Sequence, residues 1–292
     1  MPGTLTLGLP RYHRWSATIL CGMVVAFLLA PVAGRAQPQP TIGQEGKDVP
    51  WVPTPDALVD TMLAMAAVTP NDLLVDLGSG DGRTVIAAAR LGARAIGIEL
   101  DENLVDLSRR RAIEAGVADR AEFRTTDLFE FDLSPATVVT MFLLPDINFR
   151  LRPKLLGLKP GTRIVSNTWD LSGSDDDPDA PGWTPDRVEV LEPCPSFCTG
   201  LLWIVPAKVD GTWQLADGEL QLEQRFQMVS GRLTRSGRSL EIEDGRLRGT
   251  VLTFRTGETR YRGRVDPADA TTIRGVAQTQ STSVDWSAKR RQ

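Results

Sequence analysis

The sequence predicts an α/β protein, a doubly wound parallel sheet with helices on both faces, followed by a small antiparallel β domain. Three observations carry that prediction. Between Leu73 and Asn167 short β-rich runs alternate strictly with runs of helical periodicity, the pattern of parallel strands joined by crossover helices. The stretch VDLGSGDGR, Val75 to Arg83, falls where the first strand gives way to its crossover helix, the position at which open α/β sheets bind ligands. Beyond Asp210 the texture changes to period-two runs separated by glycines, which marks antiparallel strands.

The elements follow in order. In PWVPTPDALVDTMLAMAAVTP, Thr54 is a capping residue, Pro55 suits the first helical position, and Leu58, Met62, Met65 and Val68 share one helical face, so a helix is expected to end near Pro70. LLVDL (Leu73 to Leu77) precedes a helix through Val85, Ala88 and Ala89. ARAIGIEL precedes a helix through Leu104, Leu107 and Ala112. AEFRTTD (Ala121 to Asp127), ATVVTMFLL (Ala136 to Leu144), a helix through Leu151, Leu155 and Leu156, and TRIVSN complete the alternation. RVEVLE and GLLWIVPAKV, separated by PCPSFCT, read as a hairpin added to the sheet. Leu220, Leu222, Phe226 and Met228 then lie at period two, with glycines at 231, 237, 245, 249, 257 and 263. The small β domain is expected over about Gly211 to Trp286 as a structural or substrate-contacting appendage.

The N-terminal segment is excluded from the fold. Arg11 and Arg14 precede an apolar core from Ile19 to Ala30, and small residues end in Gly34-Arg35-Ala36, the order of a cleaved secretory signal. The alternative is an uncleaved anchor, since Ala17 and Val32 extend the apolar run toward the shortest spanning lengths. Arg35 and Lys47 set against Arg11 and Arg14 would then leave the fold at the cytosolic face. The expected organisation is a signal or anchor over 1–36, a Pro-containing linker over 37–49, the α/β domain over 50–209 and the β domain over 210–292.

Composition excludes several chemistries. The 292 residues carry a net charge of -4, and removing 1–36 takes away three arginines and no acid, leaving 30 basic against 37 acidic groups. That argues against a general nucleic-acid binder, which needs a basic face. The one histidine, His13, lies in the leader, so no imidazole serves the fold as base or metal ligand, and no metal site is expected. Cys21 lies in the apolar run without the small residue a lipoprotein signal places before its cysteine. Cys194 and Cys198 flank a hairpin tip, bridgeable if their Cα atoms come within about 7 Å and otherwise two thiols.

Gly78-Ser79-Gly80-Asp81-Gly82 can take positive φ and expose bare backbone to a ligand. Arg83 stands where a nicotinamide-type fingerprint needs its third glycine, which points away from a pyrophosphate ligand. Glu99, 17 residues after Gly82 at the tip of the second strand, can accept from both hydroxyls of a ribose. Asp76-Leu77-Gly78-Ser79-Gly80-Asp81-Gly82, with Glu99 and with Asp127 after strand three, resembles a class I S-adenosylmethionine-dependent methyltransferase over about Pro50 to Lys208. The resemblance implies a seven-stranded Rossmann-like sheet closed by an antiparallel strand. It also implies a glycine loop (Gly78, Gly80, Gly82) on the methionine part of the cofactor, Glu99 on the ribose, and Asp127 with Leu128 at the adenine.

A narrower resemblance rests on WVPTP and FLLPDINFRLRPKLLGLKPGTRIVS. These are similar to a membrane-associated protein-lysine methyltransferase group distantly related to the histone methyltransferase Dot1. It implies that Trp51, Val52, Pro53 and Thr54 lie over the cofactor; read from the residues alone, Trp51 is equally a packing aromatic. Strand four ends in Phe142-Leu143-Leu144-Pro145 rather than an Asn/Asp-Pro-Pro-aromatic run, which disfavours DNA bases and side-chain amides as acceptors. The acceptor expected is a protein lysine or small amine, with Asp146 and Asp170 as loop acids near the strand ends. The rival reading is an exported, non-catalytic module that kept the fold, to be separated by titration with S-adenosylhomocysteine. The expected location is exported or periplasmic, or anchored and facing the cytosol.

Overall fold

The computed structural model describes residues 3–4, 41, 51–173, 181–194 and 196–291. The predicted leader and most of the linker lie outside the described residues, as does the centre of the acidic loop that follows TRIVSN.

The first half is the alternating unit that the sequence pattern demands. Helix α1 (Asp56–Met65), strand β1 (Leu73–Leu77), α2 (Arg83–Arg90), β2 (Arg94–Glu99), α3 (Glu102–Glu114), β3 (Ala121–Thr125), β4 (Val138–Met141), α4 (Pro145–Leu156) and β5 (Arg163–Asn167) are followed by the hairpin β6 (Arg187–Val190) and β7 (Thr199–Ile204). The seven strands form one sheet in the order β3-β2-β1-β4-β5-β7-β6. Strands β1 to β5 run parallel, and β7 inserts antiparallel between β5 and β6. The order reverses at β1 and β4, so a cleft opens beyond their carboxyl ends.

Burial explains the strand sequences. Val75, Leu77, Val138, Val139, Ile164 and Val165 are almost wholly buried, as expected where helices cover both faces of a parallel sheet. At the opposite end from the cleft, Asp72 is a polar clamp. It accepts from Thr69 N at 2.8 Å, from Thr137 Oγ1 at 2.7 Å and from the Arg163 guanidinium, so one carboxylate joins the starts of β1, β4 and β5. Thr54 does not cap α1. Pro55 holds the N-cap position, its carbonyl receiving Leu58 N and Val59 N, which frees the Thr54 hydroxyl for a tertiary contact described below.

The second half closes on itself. Strands β8 (Gly211–Leu215), β9 (Gly218–Arg225), β10 (Met228–Arg235), β11 (Arg238–Glu241), β12 (Glu243–Arg248), β13 (Val251–Thr256), β14 (Thr259–Val265), β15 (Thr272–Gln278) and β16 (Ser283–Arg290) are all antiparallel, and a β9–β10 pairing joins the two ends of their sheet. The result is an eight-stranded barrel, with β11 attached to β10 as a flap. Sequence period predicted an antiparallel domain ending at Trp286; the structure makes it a closed barrel and carries its last strand to Arg290. Its interior is filled by alternate residues including Trp213, Leu222, Leu247, Phe254, Tyr261 and Trp286. The Phe254 and Tyr261 rings stack at 4.5 Å, and Trp286 meets both edge-on.

The barrel packs on the sheet through a small aromatic joint. Trp183, buried after the acidic loop, stacks on Phe226 of the β9–β10 turn with ring centroids 6.0 Å apart, and its carbonyl accepts from Trp203 Nε1 at 2.6 Å. Gln227 Nε2 donates to Thr184 O, and Arg246 pairs with Asp186 at 2.7 Å. Replacing Trp183 by Ala should cost about 3 to 5 kcal/mol of folding stability, read as the shift in the urea midpoint; a loss below about 1 kcal/mol would show that the joint is not structural.

Candidate active site

The cleft at the β1/β4 reversal is lined by the strap ahead of α1 (Trp51 to Thr54), the glycine loop (Gly78 to Asp81), the end of β2 (Ile98 to Asp101), Thr126, Leu128 and the end of β4 (Met141 to Leu143). It encloses about 1030 Å³ including the open solvent at its mouth.

The loop is fixed from below and from the side. Gly78 N and Ser79 N both donate to Ile98 O at 2.9 Å, and Ser108 Oγ of α3 donates to Gly80 O. Gly80 has φ of 53°, and a Cβ there would fall 2.8 Å from Trp51 Nε1. The residue is therefore glycine for two reasons, its backbone angle and the indole lying against it. Ser79 lines the cleft, but its Oγ is buried behind the loop against Gly97 and has no hydrogen-bond partner among the described residues.

Glu99 sits where its spacing predicted. Its Oε2 accepts from Gly80 N at 2.9 Å, and its Oε1 accepts from Leu100 N at 2.8 Å and Asp101 N at 3.0 Å. The carboxylate retains acceptor capacity beyond these bonds, so it can still receive a ligand's hydroxyls.

Two sequence-predicted residues fall elsewhere. Gly82 is the left-handed N-cap of α2, and a Cβ there would strike Ser108 at 2.7 Å and the Phe123 ring at 2.8 Å. Its missing side chain serves the packing of α3 and β3 behind the loop, not the cleft. Asp127 turns onto its own loop, accepting from Phe129 N at 2.7 Å, while its neighbours Thr126 and Leu128 supply the wall. Asp146 and Asp170 are exposed and absent from the cleft wall, and Asp170 is engaged by Ser172 N and Oγ. Asp76, Gly78, Ser79, Gly80, Glu99, Leu128, Trp51 and Thr54 are brought together.

Sequence reading missed what holds the strap in place. Arg83 donates through Nε and Nη2 to Asp81 at 3.0 and 2.7 Å, and through Nη1 to Thr54 O at 2.9 Å and Asp56 at 3.2 Å. Arg111 of α3 pairs with the same Asp81 carboxylate. Burial alone would raise the Asp81 carboxyl, but the Arg83 and Arg111 guanidiniums hold it below the ordinary carboxylate value. Thr54 Oγ1 accepts from Asn167 Nδ2, which ties the strap to the end of β5. Phe142 on the cleft wall packs against Phe197 at the β6–β7 tip, ring centroids 5.3 Å apart. Cys194 and Cys198 form a disulfide across that tip, with Cα atoms 6.1 Å apart.

The likeness to known proteins agrees with this geometry. The ANTKMT methyltransferase domain family matches residues 76–178. A protein-lysine N-methyltransferase of Saccharolobus islandicus strain REY15A is 41% identical over 147 residues, 49% of this chain and 86% of that protein. The chain belongs to the protein-lysine methyltransferase family. An adenine nucleotide translocase lysine N-methyltransferase of Mus musculus is 36% identical over 142 residues, 48% of this chain and 58% of that protein. The chain is an S-adenosylmethionine-dependent methyltransferase, and the non-catalytic reading of the fold is set aside. Among solved structures, an RNA methyltransferase from Salinibacter ruber in complex with S-adenosyl-L-homocysteine is 50% identical, covering 54% of this chain and 96% of that one with a TM-score of 0.48. The family match over 76–178 does not reach the barrel.

Asp76 is a second buried carboxylate of the site beside Asp81, accepting from Thr140 Oγ1 at 2.6 Å. Burial pushes its carboxyl up to about 7, against the Thr140 hydrogen bond and helped by the nearby charges of Glu99 and Asp81. Between its unfolded value, about 4, and about 7 the folded chain keeps a proton that the unfolded chain loses. The stability from this group is complete below that window and lost as pH rises through it, by up to about 1.4 kcal/mol per pH unit. Urea melts of the ligand-free enzyme at about pH 5 and about pH 7 should show this slope, and Asp76→Asn should flatten it. An identical slope in the variant would mean that Asp76 ionises normally.

Proposed function

We propose that this methyltransferase transfers methyl groups to lysine side chains of a protein acceptor. The observation that carries the reading is the chemistry of the cleft mouth, where Phe142, Leu143 and Ile147 form an apolar wall beside the glycine loop. Such a wall suits the four-methylene stem of lysine, and desolvation there favours the neutral, nucleophilic amine. The names of the relatives from Saccharolobus and Mus musculus support it.

The residues that would hold the cofactor are Gly78, Ser79 and Gly80 at its methionine end, Glu99 at its ribose and Leu128 at its base, with Asp76 below and Trp51 and Thr54 over it. They fit the group: the loop backbone is bare at Gly78 and Gly80, Glu99 keeps acceptor capacity for hydroxyls, and carboxylates suit a cation. When bound, S-adenosylmethionine supplies a methyl on a positively charged sulfur. The chain's own part is positioning: the strap excludes water, the loop fixes the donor, and the apolar wall holds the amine in line.

The location we propose is the far side of the membrane reached through residues 1–36. The Cys194–Cys198 disulfide supports it, because such bonds persist in oxidising compartments. An alkaline phosphatase fusion after Asp48 should be active, and an inactive one would favour the cytosol-facing anchor.

Incubation with labelled S-adenosylmethionine and a membrane-protein extract should methylate lysines, read by peptide mass spectrometry. Replacing Glu99 by Ala should weaken S-adenosylhomocysteine binding by about 1 to 3 kcal/mol in isothermal titration. Gly80→Val should abolish binding while the thermal transition stays cooperative. Unchanged affinity in both variants would sink the assignment of the loop, and methylation confined to other residue types would sink the lysine reading.

A further inference from the structure

The barrel carries a charge distribution that its fold does not require. Residues 211–291 hold 14 basic and 10 acidic groups, against 19 and 27 in the rest of the chain, so the barrel is the basic part of an acidic protein. The excess gathers on one side. Strand register sets Arg248, Val251, Arg264 and Arg274 in one transverse row across β12 to β15, and Arg246, Thr253, Arg262 and Val276 in the next. A third row runs Glu243, Arg255, Arg260 and Gln278.

Within this face Arg264 lies directly opposite Arg274, and Arg255 directly opposite Arg260. Like charges in directly paired positions destabilise a sheet. Some are compensated at the margins: Arg255 by Glu243 at 2.6 Å, Arg274 by Asp266 at 3.4 Å, and Arg246 by Asp186. Among the described residues no acid lies within ion-pairing distance of Arg248, Arg260, Arg262 or Arg264, all of them exposed; Arg264 donates to the Thr250 hydroxyl. Four exposed guanidiniums with no acid in pairing distance among the described residues give this face a positive surface that an external anion would complement.

We infer that the outer face of β12 to β15 docks on an anionic phospholipid surface. A nucleic acid fits less well. The aromatic residues of these strands, Phe254 and Tyr261, turn into the barrel with Trp286, so the face offers no platform for stacking bases. The apolar residue it does expose is Val276, at 40%, a side chain suited to the headgroup boundary. A polyanion extending past the face would meet the acidic remainder of the chain. A planar bilayer meets one face, with charges further than about 8 to 10 Å screened. Each arginine near such a surface adds to partitioning. Docking of this kind does not depend on the lysine reading.

The test is co-sedimentation of the full chain with vesicles of phosphatidylcholine alone and with about one third phosphatidylserine, where at least a roughly tenfold preference for the anionic vesicles is expected. The combined variant Arg248→Gln, Arg260→Gln, Arg262→Gln, Arg264→Gln should lose that preference while keeping its binding to neutral vesicles and its cofactor affinity. A variant that retains the preference, or a wild type that never shows one, would overturn the inference. So would wild-type binding to single-stranded RNA tighter than to the anionic vesicles. Should the glutamine variant melt without cooperativity, salt decides on the wild type: raising NaCl from about 50 to about 500 mM should erase the preference, and its persistence would overturn the inference.

Discussion

The Asp81 carboxylate is the point on which the catalytic half depends. Its side chain is 3% exposed and takes Arg83 from the helix it precedes and Arg111 from the next helix. Through Arg83 it reaches the carbonyl of Thr54 and so sets the strap that carries Trp51. A buried charge held by two guanidiniums is costly to leave unpaired, by about 3 to 5 kcal/mol when one partner is removed. Three elements are therefore tied together: the glycine loop, the strap over it and α3 behind it. Ser108 Oγ on Gly80 O and Glu99 Oε2 on Gly80 N close the arrangement from the other sides. The loop's shape is held by hydrogen bonds within the protein itself, which is the preorganisation that a positioning mechanism needs.

What could be read from sequence was whatever depends on near neighbours. LLVDL is β1 to the residue, and the strands and helices after it lie where periodicity put them, because each buries a face set by its own spacing. Glu99 was legible for the same reason, since a strand tip seventeen residues past a glycine loop has one place to be in a crossover unit. The failures are equally local in origin. The pattern Gly-x-Gly-x-Gly does not distinguish a glycine bare toward a ligand from one bare toward Ser108 and Phe123, so Gly82 was assigned to the wrong side of its loop. Asp127 lies off the cleft wall that its neighbours Thr126 and Leu128 line, one of its oxygens accepting from Phe129 N two residues on. Thr54 had the chemistry of a cap and was drawn away by Asn167, far along the chain.

The larger omission was closure of the barrel. Period two identified the inward face at Leu220 and Leu222, whereas Phe226 falls in the β9–β10 turn against Trp183 and Met228 is exposed. Closure depends on β16 pairing with β8, as in Ala288 with Leu215, and no local pattern encodes a pairing across so long a separation. The consequence is physical: the closed barrel has a full interior and no free edge of its own, the flap strand β11 on β10 being the one strand of that sheet left with an open side among the described residues. Its outer surface is therefore its main means of contacting anything, apart from the joint at Trp183 and Phe226.

That surface shows where reasoning from net charge breaks down. A charge of -4 for the chain argued that the whole molecule is not a general polyanion binder. Electrostatic attraction decays over a Debye length of about 8 to 10 Å, however, and a folded protein is several times wider than that. A partner touching one face responds to the charges on that face and hardly to the sum. Here the two halves have opposite tendencies, acids predominating around a cleft whose ligand carries positive charge and arginines predominating on the barrel. Summation hides both, while strand register, which alone decides that Arg264 faces Arg274, brings the basic face into view.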